Sequence, residues 1–172
     1  MEIITVRKVT LKDISDLQEI GRKTFSETFA ERNTEEDMAK YLDESFSIEK
    51  LSHELDDNDS EFYFAISSQQ VIGYLKLNVG KAQTELKDGE SLEIERIYVL
   101  REYHGKGVGQ VLYDKALLVA KQKQMKYIWL GVWEENPRAT RFYQKNGFVA
   151  FGKHIFKLGD DEQTDILMKR PL

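Results

Sequence analysis

Three glycines at alternate positions, Gly105, Gly107 and Gly109, separate an apolar strand pattern at 92–99 from an amphipathic helix pattern at 108–123. A strand, a glycine loop and a helix in this order favour an α/β domain. Glycine lets backbone N–H groups converge without obstruction from Cβ, and the first N–H groups of a helix attract phosphate oxygens. The unit predicts either a phosphate-binding loop or a turn that only packs a helix on a sheet.

The loop spacing differs from those of two common nucleotide sites. The segment His104-Gly105-Lys106-Gly107-Val108-Gly109 matches neither the G-x-G-x-x-G pattern of dinucleotide sites nor the G-x-x-x-x-G-K-[ST] pattern of nucleotide triphosphatases. Lys106 adds a positive charge beside the glycines. The segment therefore predicts phosphate binding of another type.

The rest of the chain predicts one α/β domain over residues 1–172 with a mixed sheet. Prolines occur only at 137 and 171, and no repeat or low-complexity linker interrupts the pattern. Strands are predicted at 3–9, 62–66, 71–79, 92–99, 127–132, 148–157 and 165–169. Helices are predicted from Leu11 through Ile20, from Thr34 through Leu42, and at 48–55, 108–123 and 137–146.

The strand at 92–99 contains a shift in its apolar alternation. Apolar residues occupy 92 and 94 and then 97 and 99, so a β-bulge near Arg96 would restore one apolar face. Glu93 and Glu95 then approach from one side, and either could act as a general base. The alternative is that each is a half-exposed strand residue paired to a nearby lysine or arginine.

Charge and composition narrow the class of protein. The net charge is −5, but twelve acidic and three basic residues lie between Glu27 and Asp59, so the remaining residues sum to +4. This distribution disfavours nucleic-acid binding. It favours either a cationic small-molecule partner or helices with solvated acidic faces.

Other sequence features exclude several chemistries. The chain has no cysteine, so a thiol nucleophile and thiolate metal ligands are excluded. His53, His104 and His154 lack metal-ligand spacing, and we expect no metal site. Neither a signal peptide nor a membrane-spanning apolar run is visible, so we expect a cytoplasmic protein without membrane contact.

A second motif follows the buried-strand pattern Tyr127-Ile128-Trp129-Leu130-Gly131-Val132. It consists of Asn136, Ala139, Phe142, Tyr143, Lys145, Gly147 and Phe148. With the glycine loop, this motif resembles the GCN5-related N-acetyltransferase (GNAT) family, which carries R/Q-x-x-G-x-G/A and N-x-x-A-x-x-F-Y-x-K-x-G-F. The one departure is His104, which stands where the family has Arg or Gln.

The resemblance implies a fold and a reaction. It implies a mixed, mostly antiparallel sheet of about seven strands flanked by helices, and direct acetyl transfer from acetyl-coenzyme A to an amine in a ternary complex. Tyr143 is implied as the general acid, although a tyrosine beside Phe142 is also a common core residue. The implied cofactor-binding residues are Ile97, Tyr98, Val99, His104, Gly105, Lys106, Gly107, Val108, Gly109, Asn136 and Lys145.

A narrower resemblance is to bacterial spermidine/spermine N-acetyltransferases of the PaiA type. It is carried by ESLEIERIY at 90–98, IWLGVWE at 128–134 and GDDEQTD at 159–165. It implies a polyamine acceptor. The alternative acceptors are a peptide amine, an amino sugar or another small cationic amine, and the alternative function is that of a non-catalytic acyl-coenzyme A sensor.

Family analogy also implies a homodimer. Phe25, Phe29, Tyr41 and Phe46 are candidates for an acceptor channel, with Phe25 and Phe29 also expected in the core.

Overall fold

A seven-stranded mixed sheet organises the protein in a computed structural model that describes residues 3–172. The strands are β1 (Thr5–Lys8), β2 (Ser60–Ser67), β3 (Gln70–Val79), β4 (Ser91–Val99), β5 (Tyr127–Trp133), β6 (Val149–Leu158) and β7 (Asp161–Pro171). Their order is β1-β2-β3-β4-β5-β7-β6. Among the strand pairs within residues 3–172, only β4 and β5 are parallel. The predicted mixed, mostly antiparallel α/β sheet is confirmed.

Five α-helices accompany the sheet in the described part of the chain. They are α1 (Ile14–Phe29), α2 (Glu35–Ser45), α3 (Ile48–Asp56), α4 (Val108–Gln122) and α5 (Pro137–Lys145). Thr34 caps α2 by accepting the Asp37 N–H at 3.1 Å, as its sequence position predicts. The predicted helix start at Leu11 is wrong by one turn, because Leu11–Asp13 forms a 3₁₀ turn before α1.

The predicted bulge in β4 is confirmed. Lys76 of β3 lies opposite Arg96, whereas the next residue, Leu77, lies opposite Ile94. Glu95 is therefore the extra residue on β4. The extra residue shifts the register by one position, so β4 stays paired with β3 on both sides of the bulge. The apolar side chains of its second half therefore point to the same face as those of its first half.

The first and last strands along the chain differ from the predicted bounds. β1 is shorter than the predicted 3–9 strand, and β7 begins at Asp161 rather than at 165. β7 starts earlier because Leu158 pairs with Asp161 across a tight hairpin. Gly159 adopts φ +61° in that hairpin, a conformation that glycine adopts without strain.

The core lies between the sheet and its helices. Leu112, Ala116 and Ala120 of α4 are fully buried, and α4 packs on β3 and β4. α1 also packs on β3, and its Leu17 and Ile20 side chains are buried. None of the helices within residues 3–172 is both long and apolar enough to cross a membrane.

Candidate active site

β4 and β5 run side by side over only part of their length. Their parallel pairing ends at Ile94 opposite Leu130. Beyond this point β4 stays paired with β3 up to Val99, and β5 stays paired with β7 up to Trp133. The strands therefore diverge and leave an opening that residues of β4, β5 and α5 line together.

The glycine loop lies at one end of this opening. Gly105 has φ +76° and Gly107, the residue before α4, has φ +82°, so both positions need glycine. A Cβ added at Gly105, Gly107 or Gly109 would meet no atom within 4 Å. The first N–H groups of α4 have no partner within their own helix. The loop thus offers donors and free space together, which is what a pyrophosphate requires.

A cavity of about 230 Å³ extends from the loop into the opening. Nine of the predicted cofactor residues line it: Ile97, Tyr98, Val99, His104, Gly105, Gly107, Val108, Gly109 and Asn136. Lys106 and Lys145 lie outside the lining, and Lys145 is exposed in the last turn of α5. The Lys106 ammonium instead lies 5.3 Å from the centre of the Tyr103 ring.

His104 is paired with an arginine that the sequence did not identify. Arg138 Nη1 lies 3.0 Å from His104 Nδ1, and His104 Nε2 lies 2.8 Å from the Val99 carbonyl oxygen. A guanidinium only donates hydrogen bonds, so Nδ1 must accept and Nε2 must carry the proton. Arg138 also lines the cavity. Its position two residues after Asn136 is the only sequence clue, because the contact depends on how α5 packs beside the loop.

Asn136 caps α5 with one of the two polar groups of its side-chain amide. Its Oδ1 accepts the Ala139 N–H at 3.2 Å. The cap uses only the carbonyl oxygen, so the Nδ2 donor on the same amide is left for a ligand in the cavity. The helix cap and a ligand contact therefore do not compete for one atom.

Tyr143 is buried yet faces the cavity. It is 7% exposed and lines both the loop cavity and the strand opening. Its ring packs edge-on against Phe142 and Phe148, with centroid distances of 5.4 and 5.6 Å. Burial raises the pKa of the Tyr143 hydroxyl, so the group holds its proton at neutral pH. Tyr143 is therefore a core residue that also lines the site, so the two alternatives considered from the sequence are compatible.

A second cavity, of about 240 Å³, adjoins the opening from the other side. Its aromatic lining comprises Phe25, Phe29, Tyr41, Phe46, Tyr98, Trp129, Trp133 and Phe156. Phe25 and Tyr41 stack with their centroids 4.4 Å apart. The four aromatic residues predicted for an acceptor channel all line it, and Phe25 and Phe29 belong to the core as well.

Glu93 and Glu95 both line this second cavity. Asn78 Nδ2 donates to Glu93 Oε1 at 3.0 Å and to Glu95 Oε1 at 2.8 Å, so the two carboxylates lie on one side as predicted. Glu93 does not match the half-exposed alternative. Glu95 matches the pairing part of that alternative, because it forms ion pairs with Lys76 and Arg96. Glu93 is 4% exposed, and the Glu95 side chain is 19% exposed.

The two carboxylates differ in their capacity to take a proton. Burial raises the pKa of Glu93, although Thr84 and Asn78 donate hydrogen bonds to it. Burial also opposes ionisation of Glu95, but the adjacent Arg96 and Lys76 outweigh it and bring its pKa to about 2. Glu93 is therefore the better proton acceptor, whereas Glu95 stays ionised and paired.

The acidic segment between Glu27 and Asp59 does not form the wall of the second cavity. None of the acidic side chains between Glu27 and Asp59, all within the described residues, lines the second cavity. Most lie on exposed helix faces, which is the solvated alternative. The cavity carboxylates come from Glu85, Glu93, Glu95 and Asp165 instead. Across residues 3–172, no group of three or more potential ligands could hold a metal ion.

Diverging strands, a glycine loop and a buried tyrosine together have the organisation of an acetyl-coenzyme A-dependent acetyltransferase. Residues 17–148 match the Acetyltransferase (GNAT) family. The chain is 41% identical over 169 residues to an uncharacterized N-acetyltransferase of Lactobacillus delbrueckii subsp. lactis, covering 98% of each chain. The chain belongs to the GNAT family.

Two further similarities are to proteins of Thermoplasma acidophilum. It is 28% identical to the spermidine N(1)-acetyltransferase of Thermoplasma acidophilum, over 97% of this chain and 96% of the relative. It also superimposes on the crystal structure of the PaiA N-acetyltransferase from Thermoplasma acidophilum in complex with coenzyme A, with a TM-score of 0.81, 26% identity and 99% coverage of both chains. The predicted resemblance to this group is confirmed.

Proposed function

We propose that this protein transfers the acetyl group of acetyl-coenzyme A to a primary amine of a polyamine such as spermidine or spermine. The observation that carries the proposal is the meeting of the two cavities. Tyr98 lines both of them, and the opening between β4 and β5 shares Tyr143 with the loop cavity and Glu95 with the aromatic cavity. A thioester on one side and an amine on the other can therefore meet beside Tyr143.

The residues that line the loop cavity suit coenzyme A. The free N–H groups at the start of α4 and the open space over Gly105 and Gly107 suit the pyrophosphate. Arg138 supplies a guanidinium beside His104, where the family more often has an arginine or glutamine. Asn136 Nδ2 suits an amide carbonyl of the pantetheine arm. Bound acetyl-coenzyme A supplies the activated acetyl thioester.

The acceptor amine must lose a proton before it can attack. An amine with a lysine-like pKa of about 10.4 is neutral in only about 1 molecule in 2,500 at pH 7. Glu93, whose pKa is raised by burial, accepts that proton through a water molecule. Glu95 keeps its charge, but Lys76 and Arg96 already pair with it, so Glu95 does not take the proton.

The chain's donors then stabilise the charge that develops during transfer. In the described part of the chain, β4 has no strand partner on its β5 side past Ile94. Backbone N–H groups between Ile97 and Val99 therefore receive the thioester oxygen. Tyr143 gives its hydroxyl proton to the leaving sulfur. In water this step is uphill by about 1.5 pKa units, or about 2 kcal/mol. Burial raises the Tyr143 pKa further, but it raises the pKa of a thiolate in the same site as well.

Direct transfer in a ternary complex fits this arrangement. The two cavities adjoin at Tyr98, and the chain has no cysteine to carry the acetyl group. A polyamine acceptor is supported by the aromatic and carboxylate lining, because the Arg96 guanidinium in the same lining is already paired with Glu54 and Glu95. The spermidine N(1)-acetyltransferase relative supports the same acceptor class.

The test supplies acetyl-coenzyme A with polyamines, amino sugars and N-terminal peptides, and follows thiol release. We expect turnover with spermidine or spermine and much less with the other acceptors. Preferred turnover of a peptide or an amino sugar would replace the polyamine assignment. Tight coenzyme A binding without turnover of any acceptor would instead identify an acyl-coenzyme A sensor.

A further inference from the structure

Asp165 is a half-buried carboxylate in the wall of the aromatic cavity. It lies on β7, opposite Trp133 of β5 and opposite His154 of β6. No residue among 3–172 donates a hydrogen bond to it or forms an ion pair with it within 4.0 Å. A carboxylate in such a place costs free energy unless a donor or cation completes its surroundings.

The other three cavity carboxylates already have partners. Glu93 accepts from Thr84 N at 2.9 Å, from Thr84 Oγ1 at 2.6 Å and from Asn78. Glu95 is paired with Lys76 and Arg96. Glu85 contacts His154 Nδ1. Asp165 is thus the cavity carboxylate with unused capacity in the described part of the chain.

The space in front of Asp165 is open toward the point of transfer. A Cβ added at Gly131 would lie 3.6 Å from Asp165 Oδ2, so the glycine leaves room beside the carboxylate. Gly131 also lines the opening that contains Tyr143. Aromatic rings of Trp133, Phe156 and Tyr41 share the cavity, and such rings attract cations.

We propose that Asp165 binds an ammonium group of the acceptor other than the nitrogen that is acetylated, and thereby selects cationic amines. The inference rests on the proposed transfer to amines and names the group that recognises them. Burial raises the pKa of Asp165, His154 opposes this rise and Glu85 adds to it. Such a carboxylate gains stabilisation when an ammonium approaches, because the cation replaces the lost solvent.

The test compares two charge-removing variants of β7. Asp165→Asn keeps the shape of the side chain but removes its charge. Glu162→Gln is the matched control, because the Glu162 side chain is 62% exposed and only pairs loosely with Lys157 at 3.7 Å. Spermidine binding to each coenzyme A-saturated protein is measured by calorimetry. We expect Asp165→Asn to raise the Kd by about 10- to 100-fold, and Glu162→Gln to leave it unchanged.

A third variant fills part of the space beside Asp165 and keeps the charge of its carboxylate. Gly131→Ala places a methyl group in ordinary contact with Asp165 and Leu167, so the strand accepts it without strain. We expect weaker spermidine binding and normal coenzyme A affinity. Unchanged spermidine affinity in both Asp165→Asn and Gly131→Ala would overturn the inference, and so would a wild-type protein that binds no amine of the panel.

Turnover separates this inference from the proposed function. If Asp165 binds the ammonium, Asp165→Asn raises the KM for the amine more than it lowers kcat. A fall in kcat with an unchanged KM would contradict the binding role. If the wild type binds spermidine through Asp165 but acetylates none of the panel, the proposed function fails while the binding inference stands.

Discussion

The pairing of Glu95 makes a quantitative prediction about stability. Glu95 Oε1 lies 2.8 Å from Lys76 Nζ, and Glu95 Oε2 lies 3.3 Å from Arg96 Nη2. The side chains are only 7–19% exposed, so solvent screens these contacts weakly. The pKa falls from 4.5 to about 2 on folding, which corresponds to about 3 kcal/mol. Glu95→Gln should lose about that much free energy of unfolding at pH 7.

The pH dependence of this loss follows from the direction of the shift. Because the folded pKa lies below the unfolded one, the stabilisation is fully present above the unfolded value of 4.5 and disappears as the pH falls through about 2. The difference between wild type and Glu95→Gln should therefore be constant from pH 7 to 5. It should shrink to roughly half by pH 3.

Urea unfolding at pH 7, 5 and 3 measures both quantities. A loss of about 3 kcal/mol also lowers the Tm by about 6–12 °C in a chain of this size. Glu90→Gln is the control, since Glu90 pairs with Lys126 on the exposed surface and its removal should leave the unfolding midpoint unchanged. A loss below about 1 kcal/mol at pH 7, or a loss that does not change between pH 7 and 3, would refute the reasoning.

Three further variants test the site. Tyr143→Phe should lower kcat by about 10²- to 10⁴-fold with normal acetyl-coenzyme A affinity, because it removes only the proton donor; wild-type turnover in stopped-flow thiol release would exclude the role. Glu93→Gln should lower kcat/KM and abolish the acidic limb of the pH profile of kcat/KM, because the raised pKa of Glu93 sets that limb in the wild type. A profile that keeps the limb would point to another base. His104→Ala should weaken coenzyme A binding modestly and Arg138→Ala by about tenfold in calorimetry, since the guanidinium carries the charge; the reverse order would contradict this division.

Local sequence patterns predicted most of the fold. The cap at Thr34, the glycine loop before Val108 and the helix start at Asn136 depend on residues within a few positions of each other. The bulge was predictable because Glu95 shifts the apolar alternation of its own strand. The early start of β7 was not predicted, because the polar residues from Asp161 lack a strand pattern and depend on pairing with β6.

The parts of the site that sequence could not predict are contacts between distant segments. Arg138 reaches His104 only because α5 packs beside the glycine loop. Glu54 on α3 approaches Lys76 on β3, which in turn holds Glu95. Charge counts along the chain pointed to the acidic segment, but burial and pairing decide which carboxylates face a cavity. Net charge describes solubility and attraction better than it locates a site.

The most direct test of acetyl transfer in a ternary complex is the initial rate of thiol release, with spermidine varied at several fixed concentrations of acetyl-coenzyme A. Because the two cavities meet beside Tyr143 and the chain has no cysteine, we expect rates that depend on both substrates and double-reciprocal lines that intersect. Parallel lines would indicate an acetylated protein intermediate. Either parallel lines or no release above the amine-free background would contradict direct transfer to spermidine.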